Sequence, residues 1–352
     1  MLFRSGSNLR NIKATSELDG NDYVVKGTKI WISNAGYADL GLVLARNIVA
    51  GRDDGTNAFV IESNLPNADD SKRPGVQCIR LEEKMGIHAS ATGVLELNVR
   101  VPKENLVGTV GKGYRHVLER LVGMRMGVSF QACGVAERAY QLAKEYANER
   151  QQFNKPIGIF PAIARKLRGM EIELTRMRRL SFEGAYALSR NQRQMGITPD
   201  HLQLDEDGKK TLEQFQQIYT AGILNYAISR AKMYNSEVGW MVVDDALQIF
   251  GGNGFSREYD VERLLRDFRV LRIYEGTSEI QEYILDRTKD VAKARNLETL
   301  TQIAMTQGSG GTKPVEPEFT PMDYQNVFFL RFPNSKDAFV EEGNQEIFLF
   351  KN

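Results

Sequence analysis

A long stretch without proline, from Tyr114 to about Arg150, constrains the fold of this chain more than any other feature. Apolar residues recur in it at the three- and four-residue spacing of a helix. They are Val117, Leu118, Leu121, Val122, Val128, Cys133 and Val135. Because these residues cover more than one face, we expect the helix to be buried inside a bundle.

Three further stretches predict the partners of this helix. They run from about 161 to 190, from about 211 to 249 with an interruption near Gly239, and from about 278 to 294. The polar stretch 191–210 is predicted to be a loop because glycine and proline interrupt it. Long helices in series are typical of an antiparallel bundle.

The first hundred residues have the pattern of β-structure. Short apolar stretches alternate there with turns rich in Gly, Pro, Asn or Asp. They are residues 23–27, 29–33, 40–45, 58–62, 76–81 and 93–101. Strands at this spacing predict a small antiparallel β-barrel or sandwich. The expected fold class is therefore α+β, with this β-domain followed by the antiparallel helical bundle.

These patterns divide the chain into four parts. Residues 1–5 have no cap, period or turn pattern and are interpreted as an assembly scar. Residues 6–108 form the β-domain and residues 109–296 the helical bundle. Residues 297–352 contain a Gly/Ser-rich linker and an aromatic tail that is too short for a core of its own, so this part stays without an assignment.

The composition argues against several functional classes. A net charge of +1 gives no electrostatic reason to expect a nucleic-acid partner. No apolar run approaches the roughly 20 residues of a membrane span, so no integral membrane segment is expected. Two cysteines, Cys78 and Cys133, predict a reducing compartment without disulfides. The three histidines have no ligand spacing, so no metal site is expected.

The densest chemical signal lies between residues 248 and 287. The glycine turn at Gly251 follows a helix and not a strand, so it is not a dinucleotide fingerprint, and alone it is more often a helix cap. Ser278 and Gln281 have the spacing of a capping box, which predicts a helix start whose free N–H groups suit an anionic ligand. Glu275 precedes this helix in a turn, where a carboxylate alone is more often a surface cap than a catalytic base.

Together these segments resemble the C-terminal signature of the acyl-CoA dehydrogenase family. The residues, their order and the intervals between them all match that signature in three segments: Gln248–Phe255, Val261–Asp267 and Tyr274–Gln281. Upstream segments that are similar to the family are 29–34, 84–90, 101–113 and 150–157. The resemblance covers about residues 6–294 and implies the family's middle and C-terminal domains.

The resemblance implies FAD-dependent dehydrogenation of an acyl-CoA thioester to a trans-2-enoyl-CoA. Glu275 matches the base that removes the substrate's α-proton while a hydride passes from the β-carbon to the flavin. Some branches of the family carry the base on the first long helix, immediately before an arginine that Arg125 matches. Met124 stands at that position here, which favours Glu275.

The resemblance also implies two sets of binding residues. The FAD set combines residues beside the flavin ring, two turns that reach a neighbouring subunit's FAD, and the first turn of the last helix. It comprises Ser7, Trp31, Ile32, Ser33, Arg150, Gln151, Gln152, Phe153, Gln248, Gly251, Gly252, Thr277 and Glu279. The coenzyme A set comprises Ser7, Arg125, Gly276 and Arg287.

The partners implied by the family are an acyl-CoA substrate and an electron-transferring flavoprotein, in a homodimer or homotetramer. The implied location is the bacterial cytoplasm or the mitochondrial matrix. Two alternatives stay open: an acyl-CoA oxidase that uses oxygen, and a non-catalytic flavin- and CoA-binding subunit or fragment. The family's N-terminal helical domain is expected to be missing before Gly6, and Asn8, Val122 and Pro161 depart from common family residues.

Overall fold

The computed structural model describes residues 11–69, 73–194 and 224–294, together with four short strands between 318 and 348. The chain separates into two compact units, Met1–Thr288 and Lys289–Asn352. Ser7 lies outside the described residues, as does the predicted scar 1–5. The predicted Gly/Ser-rich linker, residues 195–210 of the predicted loop and residues 211–223 of the third predicted helix lie outside them as well.

The first unit begins with a six-stranded sheet. Its strands are β1 (Thr15–Asp19), β2 (Asp22–Ser33), β3 (Leu40–Val49), β4 (Arg52–Glu62), β5 (Val76–Leu81) and β6 (Thr92–Pro102). They lie in the order β4-β3-β1-β2-β6-β5. Four neighbouring pairs are antiparallel, and β1 pairs in parallel with β3.

The expectation of a wholly antiparallel β-domain is therefore wrong at one pair. The predicted strands 23–27 and 29–33 are one continuous strand, β2, and β1 was not predicted. The chain reverses between β1 and β2 and again between β2 and β3, so β3 runs in the same direction as β1 when it lies beside that strand. No hydrogen-bonded pairing joins β4 to β5 within the described residues. The strand pairings thus form an open mixed sheet and not a closed barrel.

A buried polar cluster fixes the sheet against the first helix. The Asn57 side chain donates to Ser16 Oγ at 3.2 Å and to Asn47 Oδ1 at 3.0 Å. Its own Oδ1 accepts from the Gly111 N–H at 2.9 Å, and Thr56 Oγ1 accepts from the Tyr114 N–H at 2.9 Å. These bonds satisfy donors at the start of the helix, where the backbone has no helical partner.

Five helices follow the sheet within the described residues. They are α1 (Gly113–Glu149), α2 (Pro161–Gln194), α3 (Asn225–Phe250), α4 (Asp260–Phe268) and α5 (Ser278–Ala294). Short 3₁₀ turns lie at Lys103–Asn105, Ile157–Ile159, Gly251–Phe255 and Arg269–Arg272. The two-residue strands β7 (Gln151–Gln152) and β8 (Lys155–Pro156) pair between α1 and α2. Within the described residues, no helix combines the length and the apolar character that a membrane span requires.

Successive long helices run in opposite directions. Ser129 and Glu137 of α1 contact Ser181 and Arg178 of α2 respectively, so later residues of one helix meet earlier residues of the other. The same reversal relates α2 to α3, because Glu173 bonds Tyr234 while Lys166 bonds Asp245. The three helices share one apolar core with α4.

Helix α3 continues through Gly239, so the interruption expected there is wrong. A Cβ atom at this position would lie 2.5 Å from Cζ of Phe268. Phe268 is completely buried and belongs to α4. The glycine is needed for the close packing of α4 on α3 and does not mark a break in the helix.

The loop between β5 and β6 is fastened to α4. The Ile87 N–H donates to Asp267 Oδ1 at 2.5 Å, and the Arg266 guanidinium donates to the Met85 carbonyl at 3.1 Å. A Cβ atom on Gly86 would lie 2.4 Å from the Arg266 carbonyl oxygen. This contact therefore joins the β-structure to the helices only if residue 86 has no side chain.

The second unit contains two hairpins within its described residues. Strand β9 (Glu318–Met322) pairs antiparallel with β10 (Val327–Arg331). Strand β11 (Phe339–Glu342) pairs antiparallel with β12 (Gln345–Phe348). The sequence left this region without an assignment.

Replacing Gly86 by alanine should destabilise the protein by about 1–3 kcal/mol, because the new methyl group meets backbone that cannot move away freely. The measurement is the free energy of unfolding in urea. Gly134→Ala is the control, since Gly134 is exposed on α1 and a Cβ there meets nothing within 4 Å. That variant should gain up to about 1 kcal/mol from helix propensity. Equal stability of the two variants would contradict the docking of the loop.

Candidate active site

Glu275 lies in a strained turn between α4 and α5. Its φ is +54°, and the φ of Gly276 is +94°. The left-handed region is uncommon for a residue with a side chain, so the surrounding structure has to hold Glu275 there. Strain of this kind is concentrated at functional sites.

Two buried side chains hold the carbonyl groups of this turn. Gln281 is completely buried, and its amide donates to the Glu275 carbonyl at 3.3 Å and to the Gly276 carbonyl at 3.1 Å. Lys232 is also completely buried, and its Nζ donates to the same Gly276 carbonyl at 2.6 Å. Sequence reasoning missed Lys232 as a site residue. The sequence offered one indication of its burial. Lys232 lies four residues after Ile228, which places both side chains on the same face of α3.

The predicted helix starts at Ser278, but the capping box is wrong. Ser278 Oγ donates to the Glu237 carboxylate instead of capping its own helix. Thr277 is the capping residue, because its Oγ1 accepts from the Ile280 N–H at 3.4 Å. Gln281 turns back to the strained carbonyls, so it does not complete the reciprocal bond that a capping box requires.

The Glu275 carboxyl is half-buried, and its Oε2 is buried without a hydrogen-bond partner. Burial raises the pKa of Glu275, whereas the positive charges of Arg125 and Lys232 lower it. Arg125 is buried as well, and its Nε has no partner. The site therefore brings a carboxylate, a guanidinium and an ammonium together and leaves polar atoms of the first two free for a ligand.

Tyr274 adds to the wall of this site. Burial and the charge of Glu275 raise the pKa of Tyr274 to about 12. Its hydroxyl donates to Gln131 Oε1 at 2.6 Å, which ties the turn to α1. Tyr274 thus stays a neutral hydrogen-bond donor at ordinary pH.

The Trp31 segment forms a separate surface on the sheet. The pairing of β2 with β6 shifts register between Lys29 and Ile32, and Trp31 has a φ of +59° in this break. Trp31 is 62% exposed, Ile32 is buried and Ser33 is exposed. Lys29 anchors the strand from inside by donating to the Leu44 carbonyl at 2.6 Å. The break therefore presents the indole to a ligand or to solvent.

The two turns predicted to reach a neighbouring subunit lie at one end of the bundle. Near the end of α1, Tyr146 stacks on Phe250 of α3 with ring centroids 4.1 Å apart, and Asn253 bonds the Tyr146 hydroxyl at 2.9 Å. The predicted FAD residues of both turns are exposed. They are Arg150, Gln151, Gln152, Phe153, Gln248, Gly251 and Gly252.

The remaining predicted residues are spread along α5. Thr277 and Glu279 lie at its start, and the hydrogen bond between them lowers the pKa of Glu279. Arg287 is exposed two turns later and donates to the Tyr283 hydroxyl at 2.8 Å. The structure thus groups Glu275, Gly276 and Arg125 with Lys232 and leaves Arg287 on the surface. No cluster of metal-ligating side chains occurs among the described residues.

Comparison with known proteins decides the family. The model for the acyl-CoA dehydrogenase C-terminal domain matches residues 111–202 and 208–289, and the model for the middle domain matches residues 4–99. The chain belongs to the acyl-CoA dehydrogenase family. The family resemblance inferred from the sequence is therefore confirmed.

Individual relatives of this acyl-CoA dehydrogenase family member agree with that result. A short-chain specific acyl-CoA dehydrogenase of Megasphaera elsdenii is 36% identical over 76% of this chain and 60% of its own length. An acryloyl-CoA reductase (NADH) of Anaerotignum propionicum is 33% identical over 80% of this chain and 63% of its own. The chain thus spans less than two thirds of the length of these relatives.

A solved structure supports the fold and the cofactor. The acyl-CoA dehydrogenase of Bacillus anthracis complexed with FAD is 33% identical, with a TM-score of 0.70, over 86% of this chain and 48% of its own. Family members are FAD-dependent. The residues present here fit such a cofactor, because Trp31 is exposed in a strained break and a Cβ at Gly251 or Gly252 would meet nothing within 4 Å.

Glu275→Gln should raise the stability of the protein at neutral pH. Burial raises the pKa of Glu275 in the native state above its ordinary value of 4.5. Between these two pKa values the native state therefore binds more protons than the unfolded state. Stability is lost across that window, and glutamine removes the loss. The urea midpoint of Glu275→Gln should exceed that of the wild type at pH 7, and the difference should close below pH 4.5.

Glu279→Gln is the control of opposite sign. The hydrogen bond between Glu279 and Thr277 lowers the pKa of Glu279. The ionised carboxylate therefore stabilises the protein above its ordinary pKa, and this stability is lost as the pH falls. This variant should unfold at a lower urea concentration than the wild type at pH 7. A Glu275→Gln midpoint that differs from the wild type by the same amount at every pH would contradict the buried carboxylate.

Proposed function

We propose that this chain dehydrogenates an acyl-CoA thioester between its α- and β-carbons, with Glu275 as the base that removes the α-proton. The observation that carries this proposal is the unpartnered Oε2 of Glu275, buried in a left-handed turn. Buried polar atoms without partners are rare in folded proteins. A carboxylate that the strained turn holds without a hydrogen-bond partner is suited to accept a proton from a bound ligand.

The electrostatics around Glu275 support proton abstraction. A thioester α-proton is only weakly acidic, so the base needs a raised pKa and the developing charge needs nearby donors or cations. Burial raises the pKa of Glu275. Arg125, which we propose as a coenzyme A contact together with Gly276 and Arg287, adds positive charge beside the carbanion-like carbon.

The other residues bind and orient the reactants. When bound, FAD supplies the acceptor for the hydride that leaves the β-carbon, and the product is a trans-2-enoyl-CoA. We propose that Trp31, Ile32 and Ser33 lie beside the flavin ring. The start of α5, with Thr277 and Glu279, would hold polar groups of the same cofactor through its free N–H groups.

A second subunit is part of this proposal. Arg125 and the end of α1 at Glu149 are 24 residues apart, which corresponds to about 36 Å along the helix. The Arg150 and Gly251 turns therefore lie at the far end from Glu275 and serve a different flavin. A homodimer or homotetramer would bring these turns to the FAD of a neighbouring copy.

We propose an electron-transferring flavoprotein as the electron acceptor. Transfer to oxygen, as in an acyl-CoA oxidase, would release peroxide in proportion to turnover without any added acceptor.

Enoyl-CoA reduction is the second candidate, because one relative is named for acryloyl-CoA reduction. In that direction Glu275 would donate the proton to the α-carbon. Initial rates measured from both saturated and unsaturated thioesters separate the two directions.

Glu275→Gln should lower the rate of flavin reduction by butyryl-CoA or a longer acyl-CoA by about 10²–10⁴-fold, because glutamine cannot accept the α-proton. The rate is followed by anaerobic stopped-flow bleaching of the flavin, with the flavin content measured in parallel. Glu282→Gln on the exposed side of α5 is the control and should keep the wild-type rate. Wild-type reduction by Glu275→Gln would remove Glu275 from the mechanism.

Flavin-loaded protein should scatter light as a particle of at least twice the mass of one chain. Phe153 and Phe255 are 86% and 88% exposed, and both lie in the turns that we propose to reach the neighbouring subunit. Phe255→Asp should therefore shift the protein toward monomer and weaken flavin retention. Val49→Asp, at an apolar position on β3 that is 52% exposed, should change neither property. A flavin-loaded wild type that is purely monomeric would contradict the shared site.

A further inference from the structure

Lys232 is a completely buried lysine in the middle of α3. It forms no ion pair within the described part of the chain, and its Nζ donates to the Gly276 carbonyl at 2.6 Å. Burial lowers the pKa of Lys232 to about 8. An ammonium without a direct carboxylate partner is costly to bury. The position therefore needs a reason beyond packing.

We propose that Lys232 is a positioning residue for Glu275, holding the strained turn through the Gly276 carbonyl and keeping the carboxylate ionised through its charge. This inference rests on the proposed role of Glu275 as the base. No direct contact of Lys232 with substrate or flavin is needed, since it acts through the residue that follows Glu275.

The hydrogen bonds show why a second donor matters. The Gln281 amide serves both turn carbonyls, at 3.3 Å to Glu275 and 3.1 Å to Gly276. A carbonyl oxygen accepts two bonds, and Lys232 supplies the shorter one to Gly276. Charged donors form hydrogen bonds about twice as strong as neutral ones. Without Lys232, one neutral amide would have to hold two carbonyls in the left-handed conformation.

The surrounding charges point to Glu275 as the carboxylate on which Lys232 acts. Four charged groups face Lys232: Glu237 on its own helix, Arg125 on α1, Glu279 on α5, and Glu275 itself. Glu237 is already engaged by Arg272 at 2.5 Å and by the Ser278 hydroxyl. Glu279 is exposed and bonds Thr277. Glu275 is the one carboxylate of this group that has a buried oxygen without a hydrogen-bond partner.

The first test follows the protonation of Glu275 directly and needs neither turnover nor flavin. Infrared difference spectra are recorded across a pH titration, and the carboxyl band of Glu275 is the one missing in Glu275→Gln. In Lys232→Met the titration midpoint should move to higher pH, because a neighbouring positive charge is lost. In Lys232→Arg, which keeps the charge, it should stay near the wild-type value.

An unchanged midpoint in folded Lys232→Met would overturn the proposal. If that variant does not fold, Lys232→Gln replaces it, since glutamine keeps a neutral donor near the Gly276 carbonyl. A higher midpoint in Lys232→Gln than in Lys232→Arg supports the electrostatic role, and equal midpoints reject it.

The second test uses the flavin-loaded protein. Lys232→Met should lower kcat for an acyl-CoA by about 10²-fold, as expected for a misplaced reacting group, with KM changed only a few-fold. The acid limb of the pH profile of kcat/KM should shift upward together with the infrared midpoint. Lys232→Arg should recover most of kcat. A Lys232→Met enzyme that loses only thermal stability, with kcat and pH profile unchanged, would reduce Lys232 to a structural role.

The two proposals fail in different ways. If Glu275→Gln retains wild-type flavin reduction, the proposed function fails regardless of Lys232. If Glu275→Gln is inactive while Lys232→Met keeps its kcat and its midpoint, only the positioning role of Lys232 fails.

Discussion

The site depends on two carbonyl groups that a left-handed turn directs into the protein. Glu275 and Gly276 adopt positive φ, and both of their carbonyls accept hydrogen bonds from completely buried side chains. Lys232 and Gln281 supply these donors from two different helices. The position of the carboxylate thus depends on where α3 and α5 place these two donors, and not on the turn alone.

The helical core holds α3, which carries Lys232, in a fixed position against α1 and α2. Asn235 lies one turn after Lys232, is completely buried, and bonds Ser129 of α1 and Ser181 of α2 at 2.8 Å each. A polar group buried between three helices favours the one arrangement in which its bonds are made. The close contact of Gly239 with Phe268 then places α4, which leads through the 3₁₀ turn Arg269–Arg272 into the strained turn.

The sequence predicts the parts of this structure that depend on local pattern and on motif. The long helix α1, the start of α5 and the family follow from apolar spacing and from the segments around Gly251 and Glu275. Strand β1 (Thr15–Asp19) was not predicted, and its parallel pairing with β3 depends on contacts distant in sequence, which local pattern does not reveal. The hydrogen bond of Lys232 was missed for a related reason: its acceptor, the Gly276 carbonyl, lies 44 residues away, and a lone lysine on a helix is usually exposed.

The balance of charges around Glu275, the proposed base, depends on the helical bundle. Burial alone would raise the pKa of Glu275 so far that the carboxyl stayed protonated. The nearby cations alone would lower this pKa so far that the carboxylate became too weak a base to remove a proton. Arg125 and Lys232 oppose the effect of burial from α1 and α3. Both are themselves buried, so neither solvent nor salt screens them fully. A rigid bundle can hold two such charges at fixed distances from one carboxylate, whereas a surface turn exposed to water would lose both effects.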